Sequence, residues 1–262
     1  LRDELPRFGA SATFVNINDP IAIAGAITPE TRAIYAEPVS NPLLRVTDLE
    51  MVAGVAREHG LPLIVDNTFL SPAILRPLEH GATIVIHSAT KYLSGNGQVQ
   101  GGVVSGPRDI VQQVVNQMQI LGTAMTPFSA WLLLAGSHTL ALRMSRHSEN
   151  ARSLAEFLVA HPAVAEVNYP GLSYHPGHNV AAHLFGANGF GGMLSFRLHR
   201  PEDQGPFLDH LQLCTIAVSL GDTGTLVWPW ANSDLIRISA GLESPRDLVE
   251  DVRSALDALS SL

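Results

Sequence analysis

The sequence predicts an α/β fold with a mostly parallel central sheet, followed by a smaller C-terminal α/β domain. Three observations carry that expectation. Short apolar stretches alternate with segments of helical spacing along the chain, the pattern of strand–helix–strand units. Leu61-Pro62-Leu63-Ile64-Val65 is apolar throughout rather than alternating, as strands covered on both faces of a parallel sheet are. Glu37, Asn41, Asp66 and Lys91 fall just beyond predicted strand ends, where open α/β sheets collect their functional groups.

Taken in order, Ala12-Thr13-Phe14-Val15 reads as a strand and Pro20 to Ala26 as a short helix. Thr31 to Ala36 is the next strand. Two prolines in Glu37-Pro38-Val39-Ser40-Asn41-Pro42 then enforce a loop, because proline so closely repeated ends any regular element. Asp48 to Glu58 has helical spacing, with Leu49, Val52 and Val55 on one face and Gly60 as a stop just past its end. Leu61 to Val65, Ala82 to Ile86 and Gly102 to Ser105 read as strands. Thr139 to Ala160 is a long helical pattern leading from a first domain, residues 1–138, into a second, residues 139–262. There Ala163 to Val167, Gly192 to Phe196 and Leu235 to Ser239 read as strands, and Pro245 to Leu259 as a closing amphipathic helix.

Composition narrows the function. The chain has 262 residues, 46% hydrophobic and 15% charged, enough for one large or two modest domains with an ample core. A net charge of −8 without a basic block argues against nucleic acid or an anionic membrane as partner. The longest apolar run, near Ala130 to Ala135, is far too short to span a bilayer. Cys214 is the single cysteine, which excludes an internal disulfide and fits a reducing, cytoplasmic setting. The chain opens on Leu1 rather than Met, and Arg2 to Pro6 reads as the tail of a helix already under way, so further residues are expected upstream. His175, His178 and His183 are loosely spaced and lack thiol or acidic company, so no metal is expected.

Lys91 is the residue around which the chemistry gathers. It follows the strand Ala82 to Ile86 through His87-Ser88-Ala89-Thr90, and Gly95, Gly97, Gly101 and Gly102 come next. An unpaired ammonium at the end of a buried strand is costly. An amine that forms a Schiff base with an aldehyde escapes that cost, and pyridoxal phosphate (PLP) is the common biological aldehyde for this use. Ser88 and Thr90 would then set two hydroxyls near a phosphate. The plain alternative is a surface lysine whose stem covers apolar surface while its charge reaches water. Asp66, after a second buried strand, would pair with the protonated pyridine nitrogen and keep the ring an electron sink; otherwise it caps a turn. Trp228-Pro229-Trp230 either lines a substrate mouth or packs as bulky core.

Several runs together resemble one family. They are Glu37 to Pro42, Asp66-Asn67-Thr68-Phe69, Arg76 to Ala82, His87 to Gly95, Val167 to Leu172, Ser219-Leu220-Gly221-Asp222, and Leu235 to Glu243. In this order and spacing they are similar to the Cys/Met-metabolism PLP enzymes: cystathionine γ-synthase, cystathionine γ-lyase, methionine γ-lyase and the O-acyl-homoserine sulfhydrylases. The resemblance covers nearly the whole chain. It implies the PLP-dependent transferase fold of type I and a role for each matching residue. Lys91 would carry PLP and shuttle protons, Asp66 would pair with the pyridine nitrogen, and Ser88 and Thr90 would bind the phosphate. Asn41 would lie near the phenolic oxygen of the cofactor, and Arg237, assisted by Ser219, would grip the substrate α-carboxylate.

The implied reaction is γ-elimination or γ-replacement on a sulfur amino acid or O-acylated homoserine, with a cystathionine γ-synthase, γ-lyase or β-lyase as the second enzyme reading. An aminotransferase of the same fold and a non-catalytic homologue are rival classes. The resemblance also implies a homo-oligomer, dimer or tetramer, with shared active sites. Two features depart from the family. Its N-terminal segment, with a ring that stacks on PLP and further phosphate contacts, would precede Leu1. The stretch between Gly221 and Leu235 is shorter than in relatives and apolar around Trp228 and Trp230, which favours a small thioether or thiol over the second charged head group of cystathionine.

Overall fold

The computed structural model describes residues 2–230 and 233–259; Ala231 and Asn232 of the shortened stretch lie outside them. Two sheets organise the chain. The first runs in the order β1-β2-β3-β4, from β1 (Ile34–Ala36), β2 (Leu63–Asp66), β3 (Ile84–Ser88) and β4 (Gly102–Ser105). The β1–β2 and β2–β3 pairings are parallel, with Ala36 opposite Val65 and Asp66 opposite Ile86. β4 closes the far edge antiparallel, Ser88 facing Gly102. Helix α1 (Pro20–Ala26) precedes β1, α2 (Leu49–Glu58) joins β1 to β2, and the short α3 (Ser71–Ile74) follows β2. α2 begins where Asp48 Oδ1 accepts the Met51 amide, 3.0 Å away, and Gly60, with φ 64°, ends the run beyond it.

Side chains alternate across this sheet. Ile34, Ala36, Leu63, Val65, Val85 and His87 are buried on one face, against α2 and its neighbours, while Tyr35, Ile64, Asp66, Ile84, Ile86 and Ser88 on the other are half-buried or exposed. The continuously apolar Leu61 to Val65 predicts cover on both faces; here one face is dry and the other open. Helices α4 (Arg108–Leu121) and α5 (Pro127–Ser137) follow β4, and neither contains a buried residue. The predicted strand Ala12 to Val15 does not form. β1 is the edge of its sheet, so no neighbour exchanges ladder hydrogen bonds with that segment, and Phe14 stays exposed.

The second half starts with α6 (Leu140–Ala160) and contains β5 (Val164–Asn168), α7 (His178–Leu184), β6 (Met193–Leu198), α8 (Gln204–His210), β7 (Thr215–Ile216), β8 (Leu226–Pro229), β9 (Leu235–Ser239) and α9 (Pro245–Ala258). Its sheet has the order β5-β6-β9-β8-β7. All pairings but β7–β8 are antiparallel. α9 packs on α6 and α8, and Leu154, Leu158, Phe196, Phe207, Ile236, Ile238, Val252 and Leu256 fill the core. Burial takes in every residue of β9, Arg237 included. Part of the stretch read from sequence as a shortened loop is the strand β8, with Trp228 opposite Arg237. The three histidines are engaged separately. His175 Nδ1 accepts the Gly177 amide, His178 Nδ1–H donates to Pro170 O, and His183 meets Glu50. Among the described residues no helix is long and apolar enough to cross a membrane.

Candidate active site

β3 delivers the chain into a single π-type turn, Ala89–Leu93, within which Lys91 leaves helical geometry (φ −88°, ψ −132°). The base of the turn is fastened to β4: the Ala89 amide donates to Gly101 O (2.8 Å), and the Gly101 amide donates to Thr90 Oγ1 (3.1 Å). Lys91 is half-buried, and its Nζ donates to Ser219 Oγ at 2.7 Å. Ser219 belongs to the crossover between β7 and β8. Burial, helped by the Arg237 charge, holds the Lys91 amine below the ordinary lysine range, so more of it is unprotonated near neutral pH.

Asp66 ends β2 with both carboxylate oxygens engaged. Oδ1 accepts the Thr68 amide (3.0 Å) and hydroxyl (2.6 Å), and Oδ2 accepts the Tyr35 hydroxyl (3.1 Å). Thr68 Oγ1 in turn accepts the Ser88 amide (2.8 Å), tying the ends of β2 and β3 together. Glu37 stands on the same side, its carboxyl pushed upward by burial and by the Asp66 charge. Glu37, Asn41, Asp66, Thr68, Phe69 and Ser88, with Val39, line a cleft of about 160 Å³. A larger open hollow of about 320 Å³ between α6 and Phe190 is lined by none of the candidate cofactor- or substrate-binding residues. The smaller cleft is the one that gathers candidate residues, Asn41, Asp66 and Ser88.

Arg237 is 3% exposed. Nη1 donates to Asn41 Oδ1 (3.1 Å), and Nη2 donates to the Val218 (2.6 Å) and Ser219 (3.0 Å) carbonyls. The Trp230 ring lies 5.6 Å from the guanidinium carbon. Among the described residues Nε has no acceptor and no carboxylate pairs with the guanidinium. A buried guanidinium without an anion is a standing penalty unless an anion arrives. One buried donor, Nε, is thus left without a partner, on a group whose planar fork suits a carboxylate.

Asn41, Asp66 and Ser88 thus share one cleft, while Lys91, Ser219 and Arg237 form an adjoining cluster, and the Arg237–Asn41 bond joins them. Thr90 lies at the base of the turn rather than on the cleft lining. These residues fit PLP. They offer an amine of lowered basicity for its aldehyde, a fixed carboxylate for its ring nitrogen, hydroxyls for its phosphate, and a waiting cation for the carboxylate of an amino acid. Sequence reasoning missed Tyr35 and Thr68 as supports of Asp66. The Asp66-Asn67-Thr68 run carried a signal for Thr68, since Asp side chains bond the backbone two residues on. Tyr35 reaches Asp66 only through strand register.

Comparison with known proteins points the same way. The sequence model of the family described as Cys/Met metabolism PLP-dependent enzyme matches residues 1–257. Cystathionine gamma-lyase of Bacillus subtilis is 43% identical over 97% of this chain and 71% of its own length. L-methionine gamma-lyase of Porphyromonas gingivalis is 40% identical over 97% of the chain and 69% of its own. Among solved structures, a Campylobacter jejuni protein assigned as an O-acetylhomoserine (thiol)-lyase, with pyridoxyl-lysine monophosphate, superposes with a TM-score of 0.93. It is 31% identical, over 97% of this chain and 71% of that one.

Proposed function

Because the chain belongs to the Cys/Met metabolism PLP-dependent enzymes, we propose that it uses PLP at Lys91 for γ-elimination or γ-replacement on a sulfur amino acid or O-acylated homoserine. The observation that carries the site assignment is the meeting of two cations at Ser219: Lys91 Nζ lies 2.7 Å from its hydroxyl and Arg237 Nη2 lies 3.0 Å from its carbonyl.

When bound, PLP supplies an electrophilic carbon for the substrate amine and a ring that accepts the electron pair of the α-carbon. Asp66, fixed by Thr68 and Tyr35, is our choice for the ring nitrogen, Ser88 and Thr90 for the phosphate, and Asn41 for the phenolic oxygen. Arg237 takes the α-carboxylate of the substrate in its guanidinium fork, with Ser219 beside it. Held between them, the substrate presents its α-proton to Lys91 Nζ, whose lowered basicity supplies the neutral amine a general base needs. Once it has given up that proton, the same Nζ would take one from the β-carbon, and the electron pair freed there would expel the γ-substituent with its bonding pair. Trp230, stacked over Arg237, walls the side-chain end with apolar surface and favours a small thioether or a thiol. We further read residues 1–138 and 139–262 as two domains, and the working unit as a cytoplasmic homo-oligomer with shared sites. The uncovered α4 and α5 support the oligomer.

The test is to treat the full-length protein with PLP and borohydride and to map the label. It is expected on Lys91, and Lys91→Ala is expected to abolish turnover while leaving thermal unfolding unchanged, since the side chain is outside the apolar core. A label on another lysine rejects the assignment. Methionine, cystathionine and O-acetylhomoserine, offered in parallel with and without methanethiol, then separate elimination from replacement.

A further inference from the structure

Lys91 stands on a turn and not within a strand or a regular helix, so its amine is only as well placed as that turn. Arg143, in the first turn of α6, reaches it from behind. Its side chain is buried. Nη1 donates to Tyr92 O (2.7 Å), Nη2 to Leu93 O (3.4 Å) and Gly136 O (2.9 Å), and Nε to Thr139 Oγ1 (3.0 Å). No carboxylate pairs with it among the described residues. Burying a guanidinium against carbonyls alone costs solvation, which a mere packing position could avoid with an apolar side chain. Two close approaches are built around it: a Cβ on Gly95 would collide with the Arg143 guanidinium, and a Cβ on Gly136 would collide with the Ser94 backbone.

The same face of α6 continues with His147 and Asn150, four and seven residues on. His147 Nδ1–H donates to Ala240 O (2.6 Å), and Asn150 donates to Gly241 O (2.9 Å). Those carbonyls directly follow β9, the strand of Arg237. One helix therefore holds the Lys91 turn near its start and the end of the Arg237 strand towards its middle.

We propose that Arg143 is the positioning residue of the Lys91 turn, clamping the Tyr92 and Leu93 carbonyls to the α5–α6 junction so that the Lys91 amine stays against Ser219 and beside Arg237. The proposal rests on the reading of Lys91 as the PLP-bearing residue. Without the clamp the amine drifts from Arg237 towards solvent. Both influences that lower its basicity then weaken, and its neutral fraction near pH 7 falls.

The experiment compares full-length wild type, Arg143→Met, Arg143→Lys and Thr139→Val. For each, the rate at which PLP with borohydride labels Lys91 is followed from neutral to alkaline pH, with thermal unfolding alongside. Arg143→Met is expected to label about tenfold more slowly near pH 7, the effect of one pH unit, with the midpoint of the profile moved upward and the alkaline plateau retained. Arg143→Lys recovers part of the shift, and Thr139→Val, which removes only the oxygen holding Nε, shifts the midpoint in the same direction by less. A folded Arg143→Met with the wild-type profile overturns the proposal, as does a slowing that is equal at every pH. Should Arg143→Met fail to fold, an unshifted Thr139→Val profile overturns it. A wild type that takes no label at Lys91 overturns the functional reading itself, whereas a labelled wild type with an unshifted variant overturns the clamp alone.

Discussion

Burial on α6 keeps the His147 imidazole neutral, its pKa pushed down to about 4 by desolvation while Nδ1–H is committed to Ala240 O. The unfolded chain protonates the same ring near the ordinary value of about 6.5. Between those two values the unfolded state binds a proton that the native state does not, so stability falls as pH drops through that window and levels off below it. The full effect is about 3 kcal/mol. His147→Asn, which keeps a donor for Ala240 O, is expected to flatten the acid limb of the stability profile, measured by urea unfolding at neutral and acidic pH; an unchanged limb refutes this. Lys91 and Asp66 stand out in the sequence as candidates because a charged residue follows an apolar run, and Arg237 through the resemblance. Arg143 and Tyr35 do not, since each acts through a backbone carbonyl or a carboxylate that only the folded register brings near, whereas Thr68 lies two residues from Asp66 and within reach of a local reading.

At the scale of elements, the close contact between the end of α5 and the Lys91 turn sets up an opposition that magnitudes can decide. Replacing a helical glycine with alanine ordinarily stabilises by about 1 kcal/mol. At Gly136 the added methyl would meet the Ser94 carbonyl, backbone that cannot swing aside, and overpacking of this kind costs about 1–3 kcal/mol. Gly136→Ala is therefore expected to lower the midpoint of thermal unfolding; a rise would mean that the turn yields freely. Elements with strong local signals lie where the sequence places them: α1 begins at Pro20 with its cap Asp19, α6 differs by one residue at its start, and β4 and β9 have the predicted bounds. The failures have a common cause. A strand exists only with a neighbour, and Ala12 to Val15 has none. β7 and β8 pair with each other and β9 across sequence gaps that no local pattern marks.

For the molecule as a whole, the surface left by α4 and α5 is unusual. Ile120 (76%), Leu121 (70%), Phe128 (67%) and Trp131 (61%) are exposed on consecutive helices. Large apolar side chains exposed in this number favour association. The 262-residue chain expressed alone is expected to bind an apolar fluorescent dye and to sediment as concentration-dependent assemblies, and Phe128→Glu with Trp131→Glu to reduce both. Dye-free, monomeric behaviour would contradict it. The first sheet also divides the proposed site in time. The groups assigned to the cofactor all lie between Asn41 and Lys91, at or just beyond the ends of adjacent strands, whereas Arg237 must return across 196 residues to reach Asn41. Contacts so distant along the chain form slowly, because the loop between them must close first. The proposed site is thus laid down in two stages of folding, the local groups from Asn41 to Lys91 first, and then their closure by Arg143, Ser219 and Arg237 from the second half.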